Sequence, residues 1–207
     1  METFVFDWSG VISNDAPPVY IANMMLLEDN GHDRISFERW KELSALTAAG
    51  FLKNCGIDAD EKETYETYRR YFNEIVTKGN KPEIIPGAKG ALESLSKTGR
   101  RLLILSSHPA QSLREEMRRY GVEDLFEHVI GSVTDKASGL RGICQGINTK
   151  GIDVLYWGDT IYDVFAAKGA GVSSGVVASE YAYHSRERLE AVNPDFNLPD
   201  ISWMIGV

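Results

Sequence analysis

Cysteine is scarce: the 207 residues hold two, Cys55 and Cys144, far apart and without CxxC spacing. They read as reduced thiols of a cytosolic protein, buried or incidental. No apolar run approaches the length a bilayer span requires. The N-terminus has neither a basic start nor a long apolar stretch, so no signal peptide is expected. Internal repeats and low-complexity segments are absent as well. Positive charge is the scarcer sign, with 22 Lys and Arg against 30 Asp and Glu and a net charge of −8. An acidic surface repels phosphate backbones, which disfavours nucleic acid as a main partner. A small anionic substrate needs only a locally positive pocket. The expectation is a soluble, cytoplasmic protein with no membrane partner.

What is present is ordinary for a globular chain, at 43% hydrophobic and 25% charged residues. The length suits one large domain, or one domain plus a small insertion. "TFVF" (3–6) reads as a strand, and residues 15 to 80 then hold no convincing strand. That region carries helical stretches: "PPVYIANMMLLEDNG", "SFERWKELSALTAAGFL" and "DEKETYETYRRYFNEIVTKG". Pro17 and Pro18 suit a helix start, Gly31 a stop, and Ser36 an N-cap. After "KPEIIPGAKGALESLSKTG", buried strands at 101–105, 128–132, 153–157 and 173–177 alternate with helices near 87–98, 109–120, 136–146, 161–169 and 184–191. Such alternation predicts a parallel sheet with helices on both faces. The expected architecture is a doubly wound, Rossmann-like α/β core from residues 1–14 and 83–207, with a helical cap, 15–82, inserted after the first strand.

In an open α/β sheet, ligands bind beyond the carboxyl ends of the strands. Asp7 follows the first strand, Ser106 and Ser107 follow "RLLIL", and Gly158 and Asp159 follow "DVLYW". Asp163 lies one helical turn later in "GDTIYD", and "VTDK" places Lys136 at a helix start. Asp7 and Asp159 suit a hard divalent cation such as Mg²⁺. The cation and Lys136 would neutralise a phosphoryl group to which Ser106 donates. Backbone N–H groups near Gly10 would add donors. One Asp7 oxygen then remains to attack phosphorus and form an aspartyl-phosphate. Taken singly these residues have blander readings: "DWSG" as a turn, Ser106 as a helix cap, Lys136 as a surface lysine. Their order, each after its own strand, carries the joint reading.

The chain resembles the haloacid dehalogenase superfamily of phosphohydrolases over essentially its whole length. The resemblance rests on "FDWSGVI", "LLILSS", Lys136 of "TDK", and "GDTIYD" leading into "VFAAKGAGV". "PGAKGALESL" resembles the segment where the family's chain returns from a helical cap. The resemblance implies that Asp7 is the nucleophile and the backbone carbonyl of Ser9 a Mg²⁺ ligand. It implies phosphate binding by Ser106 and Lys136, metal binding by Asp159, and a supporting place behind the metal for Asp163.

The departure is Ser9, where most phosphatases of the superfamily carry a second aspartate as general acid and base. A serine hydroxyl has too high a pKa for that role near neutral pH. Phosphonoacetaldehyde hydrolases resemble this chain in "DW" followed by a small residue and use a cap lysine as a Schiff base. Lys53 is the candidate here, against its reading as a surface lysine of a cap helix. "GDT" argues against 2-haloacid dehalogenases, and the lack of membrane segments against P-type ATPases. A receiver domain is disfavoured because its phosphorylated Asp follows a central strand rather than the first. The leading expectation is a Mg²⁺-dependent phosphatase of a small phosphorylated metabolite. The alternatives are a C–P hydrolase and a phosphate-binding or regulatory protein that hydrolyses poorly. Trp8 reads as a pocket wall or as packing, His108 and His184 as isolated loop residues, and Gly50 and Asn54 as part of a cap turn.

Overall fold

The structure, a computed structural model, describes residues 1–206. In chain order its elements are β1 (Thr3–Phe6), β2 (Ser13–Asn14), α1 (Ala16–Asp29), α2 (Phe37–Leu43), α3 (Ala48–Asn54) and α4 (Glu61–Thr77). There follow β3 (Glu83–Ile84), α5 (Ala88–Ser96), β4 (Arg101–Leu105), α6 (Ala110–Tyr120), β5 (His128–Ile130) and α7 (Lys136–Gly146). The last are β6 (Val154–Gly158), α8 (Ile161–Ala170), β7 (Ser173–Val177), α9 (Arg186–Glu190) and β8 (Phe196–Leu198). The chain divides into two compact units, one of Met1–Asn14 with the residues from Glu83 on, the other Asp15–Pro82.

The first unit is built on a six-stranded sheet in the order β5-β4-β1-β6-β7-β8, parallel throughout. Period-two alternation divides the strand residues between two apolar layers. Phe4, Phe6, Leu102, Ile104, Leu155 and Trp157 face one layer with Leu92 and Leu95 of α5 and Leu113 and Met117 of α6. Val5, Leu103, Leu105, Val154 and Tyr156 face the other with Leu140 and Ile143 of α7 and Ala167 of α8. The chain leaves β1 for β4 on one side and later reaches β6 on the other, so β1 sits where the winding reverses. That reversal opens a crevice at its carboxyl end.

Two features of this unit escaped the sequence reading. The two-residue strands β2 and β3 pair antiparallel at the base of the helical insertion, and β8 adds a short edge strand beside β7. The expected strand at 128–132 stops at Ile130, because Gly131 and Ser132 serve the loop after β4 instead. A Cβ on Gly131 would lie 2.7 Å from the Ala110 Cα. Ser132, at φ 58°, donates its N–H to the His108 carbonyl (2.8 Å), and its hydroxyl accepts from the Ala110 N–H (3.0 Å), capping α6.

The second unit is helical. Pro17 and Pro18 occupy the first turn of α1, where a missing N–H costs nothing. Ser36 accepts from the Arg39 N–H as the N-cap of α2. Residues 36–52, expected as one helical stretch, form two helices. The backbone becomes extended at Ser44, and Thr47 starts α3 by accepting from the Gly50 N–H at 3.0 Å. Asp60 caps α4 in the same way through the Glu63 N–H. Trp40, Phe51 and Leu52 are buried, with Tyr20, Phe37 and Trp40 in mutual ring contact. No helix among the described residues is long and apolar enough to cross a membrane.

Candidate active site

Asp7, Ser106 and Asp159 stand at the carboxyl ends of β1, β4 and β6, three adjacent strands. Lys136 opens α7, whose N-cap is Asp135, and its ammonium reaches across the strand ends. It donates to Asp7 Oδ2 and to Asp163 Oδ1, each at 2.6 Å. Asp7 also accepts the backbone N–H of Trp8 at 2.7 Å on Oδ1. Asp163 lies in the first turn of α8 in a capping box with Thr160, whose N–H and hydroxyl both donate to Oδ2. The Tyr156 hydroxyl has two acceptors within reach of its one proton, Asp163 Oδ1 at 3.2 Å and the Leu105 carbonyl at 3.1 Å. Asp159 accepts the Tyr183 N–H at 2.7 Å.

Asp7, Asp159 and Asp163 are buried, with ligand-capable oxygens within 4.8 Å of one another. Gly10 permits this crowding. It sits at φ 68°, and a Cβ there would come 2.0 Å from Asp159 Oδ2.

The charges do not balance. With all three buried carboxylates ionised against one ammonium, the formal surplus is two negative charges, to be neutralised from outside. Burial raises the Asp7 carboxyl above its usual range, with Lys136 pulling against it. Asp159 is raised well above, first by burial and then by the charges of Asp163 and Asp7. Burial also opposes the Asp163 charge, but Lys136 and the Thr160 donors outweigh it and hold that carboxyl low. On Lys136, burial is outweighed by Asp163 and Asp7, so it stays an ammonium. An all-oxygen donor set carrying two surplus negative charges fits a hard divalent cation.

Among the residues singled out from the sequence, Asp7, Lys136, Asp159 and Asp163 are brought together. Gly10 packs against Asp159. Ser106 is buried and its hydroxyl favours the Asp7 carboxylate by a hydrogen bond, whereas the neighbouring Ser107 is exposed. Ser9 is half-buried in the turn after β1 and bridges to Ser13.

Trp8 is core packing rather than a pocket wall. It is fully buried, stacks on Tyr120 at 5.6 Å, and its indole donates to Glu116. His108 and His184 lie in loops but are buried. Lys53 is exposed on α3. Gly50 and Asn54 belong to α3 rather than to a turn, and the Asn54 amide donates to the Leu43 carbonyl.

The sequence reading missed Tyr156, Thr160 and the Tyr183 N–H. Thr160 was findable, since T-x-x-D is a capping-box pattern. The other two depend on contacts distant in sequence.

His184 accepts the Ile161 N–H at 3.1 Å on Nδ1. Burial, then the Arg188 charge, lowers its pKa to about 4. The unfolded chain therefore binds a proton near pH 6.5 that the folded protein refuses. This contribution is fully present above pH 6.5 and is lost as pH falls toward 4, about 2 kcal/mol of it by pH 5. Urea unfolding at pH 7 and pH 5 should show that loss in the native protein and a smaller one in His184→Gln. Equal losses in the two would refute the assignment.

A parallel sheet with an acidic, oxygen-rich crevice at its winding reversal, closed by a lysine, defines an α/β protein with a candidate cation and phosphoryl site. The haloacid dehalogenase-like hydrolase family profile matches residues 4–177, and the chain belongs to that family. It is 22% identical to a phosphoglycolate phosphatase of Vibrio parahaemolyticus, with 100% of this chain and 96% of the relative covered. It is 25% identical to the phosphoglycolate phosphatase of Synechococcus elongatus, with 96% and 92% covered. In fold it is similar to a haloacid dehalogenase-like hydrolase of Streptococcus pneumoniae, at TM-score 0.86 and 15% identity over 100% and 97% of the chains. A haloacid dehalogenase-like protein of Agrobacterium tumefaciens superposes at TM-score 0.80 and 16% identity, over 100% and 96%.

Proposed function

We propose that the protein hydrolyses a small phosphomonoester through an aspartyl-phosphate on Asp7, with Mg²⁺ held by Asp7, Asp159 and the Ser9 carbonyl. The observation that carries this reading is the surplus of two negative charges among three buried carboxylates around Lys136. When bound, the cation supplies charge neutralisation for the substrate's phosphoryl oxygens. Lys136 faces the same oxygens and, tied to Asp163, keeps its position and charge. The Trp8 N–H holds one Asp7 oxygen, which orients the carboxylate for in-line attack. Ser106 and the N–H groups around Gly10 donate to the transferred group. Asp163 closes the capping box of α8 on Oδ2 and accepts from Lys136 on Oδ1, so it positions Lys136 and the start of α8. No carboxylate stands at position 9, so the alkoxide leaves unprotonated and water attacks the intermediate unaided.

Residues 15–82 act as a cap that selects the substrate, and phosphoglycolate, the substrate in the relatives' names, is the first compound to test. Phosphate release should be measured over phosphoglycolate, sugar phosphates and nucleotides, with and without Mg²⁺. Release that requires Mg²⁺ supports the proposal. Binding without release on every compound would leave a phosphate-binding protein. Exchanging residues 15–82 for the helical unit of a phosphoglycolate phosphatase should change the order of preferred substrates and leave the Mg²⁺ requirement intact. Loss of the requirement would count against the cap role. Ser9 also motivates the C–P hydrolase reading, for which borohydride should trap phosphonoacetaldehyde on Lys53. Failure to trap eliminates it.

A further inference from the structure

A second buried polar cluster lies behind the turn that follows β1. Its centre is Glu116 on α6, 5% exposed in an otherwise apolar layer. Glu116 Oε2 accepts the Trp8 indole N–H at 2.7 Å and the Ser13 hydroxyl at 3.0 Å. Ser13 and Tyr120 share a hydrogen bond of 2.9 Å, and the Tyr120 ring stacks on Trp8. Glu116 Oε1 faces His108 Nε2 at 3.4 Å. Several donors outweigh the cost of burial and hold the carboxyl below its usual range, so it remains ionised.

A buried carboxylate with these partners is costly unless it fixes something, since an apolar side chain would fill the same space without desolvating a charge. The residues it fixes are informative. Trp8 and Ser13 are the two ends of a closed turn, in which the Trp8 carbonyl accepts the N–H groups of Ile12 and Ser13, both at 2.9 Å, and the Ser13 carbonyl accepts that of Gly10 at 2.9 Å. The same Trp8 offers its backbone N–H to Asp7 Oδ1. On the other side, the His108 N–H donates to the Ser106 hydroxyl at 3.2 Å. One carboxylate thus bonds the loop that carries the Asp7 donor and approaches the loop that carries Ser106 through the 3.4 Å contact with His108, without touching either functional side chain.

We propose that Glu116 is a positioning residue that sets the register between the Asp7 turn and the Ser106 loop, so that nucleophile and phosphate donor keep a fixed separation. The kinetic part of this claim rests on the phosphatase reading; the structural part does not.

The test is Glu116→Gln, nearly isosteric but uncharged, read by ¹H–¹⁵N spectra and by turnover of p-nitrophenyl phosphate with Mg²⁺. The Trp8 indole resonance should move, and so should the Trp8 backbone amide, which Glu116 does not contact. The kcat should fall about tenfold to a hundredfold with KM within about twofold, the scale of a misplaced reacting group. Leu92→Ala, a core truncation elsewhere in the same layer, should lower stability and leave kcat unchanged. If Glu116→Gln does not fold, Ser13→Ala removes one of the two donors to Oε2 and is read by the same two Trp8 resonances. An unmoved Trp8 amide, or an unchanged kcat in an active protein, overturns the proposal and leaves Glu116 a core support. If the native protein releases phosphate neither from this ester nor from phosphoglycolate, sugar phosphates or nucleotides, the phosphatase reading falls, and the Trp8 amide alone still decides the positioning claim.

Discussion

Ser9→Asp should raise turnover of alkyl phosphomonoesters by about 10² to 10⁴, the contribution of a positioned general acid–base, or roughly 3 to 5 kcal/mol of barrier. The turn from Trp8 to Ser13 is closed by backbone hydrogen bonds that any side chain at position 9 leaves in place. The carbonyl proposed to face the metal is likewise independent of side chain. A carboxyl there would protonate the leaving oxygen and then deprotonate the water that attacks the acyl-phosphate. Esters of good aryl leaving groups need little protonation and should gain less in the first step. The substitution carries a cost in the metal-free protein, because it adds a carboxyl beside Asp7 and Asp159, whose charged forms burial already opposes. The measurement is kcat on both ester types at saturating Mg²⁺, with metal affinity and thermal stability as controls. Equal or slower turnover on both esters, with fold and metal affinity intact, would make Ser9 a working part of another mechanism.

Asp7→Asn should abolish turnover, a loss of about 10⁴-fold or more as for removal of a nucleophile that acts as part of a unit. No other side chain at the strand ends is assigned to replace it: Asp163 closes the capping box of α8 with Thr160, and Asp159 is proposed to hold the cation. Folding should not suffer. The Asp7 carboxyl is raised by burial, so its ionised form destabilises the metal-free protein at neutral pH. A neutral amide can still accept the Trp8 N–H. Without Mg²⁺, Asp7→Asn should therefore unfold at the same temperature as the native protein or a higher one. Acid quench of a single turnover with ³²P-labelled substrate should leave label on the peptide around Asp7, in an acyl-phosphate that hydroxylamine releases. Net inversion at phosphorus with a chiral phosphate ester, in place of the retention that two displacements give, would mean direct attack by water and would end the covalent reading.

Most of the sheet and its winding were legible in the chain. β1, β4 and β7 coincide with the runs at 3–6, 101–105 and 173–177, because each is a short apolar or β-branched run bounded by turn residues. The exceptions have local causes. The strand at 128–132 is cut short because Ser132 caps α6, a demand made by a loop about twenty residues upstream. The helical stretch at 36–52 divides because Thr47 competes for backbone N–H groups that a continuous helix would use. The strand β8 has too few apolar residues to stand out, and it forms only because β7 offers an unpaired edge.

The sequence by itself determined which residues reach the strand ends. Strand periodicity and parallel winding place whatever follows β1, β4 and β6 at one edge, so Asp7, Ser106 and Asp159 were readable together. It determined the anomaly at Ser9 in the same way. Tertiary structure alone decided the electrostatics and the support. That Lys136 bridges Asp7 and Asp163 depends on how α7 packs against the sheet. That Trp8 turns inward to Glu116, rather than outward to a ligand, depends on the face of α6 that meets the turn. The Lys136–Asp7 and Trp8–Glu116 contacts each span more than a hundred residues of chain. Local propensity carries no information at that separation, and only the closed packing of the layers sets which polar groups meet.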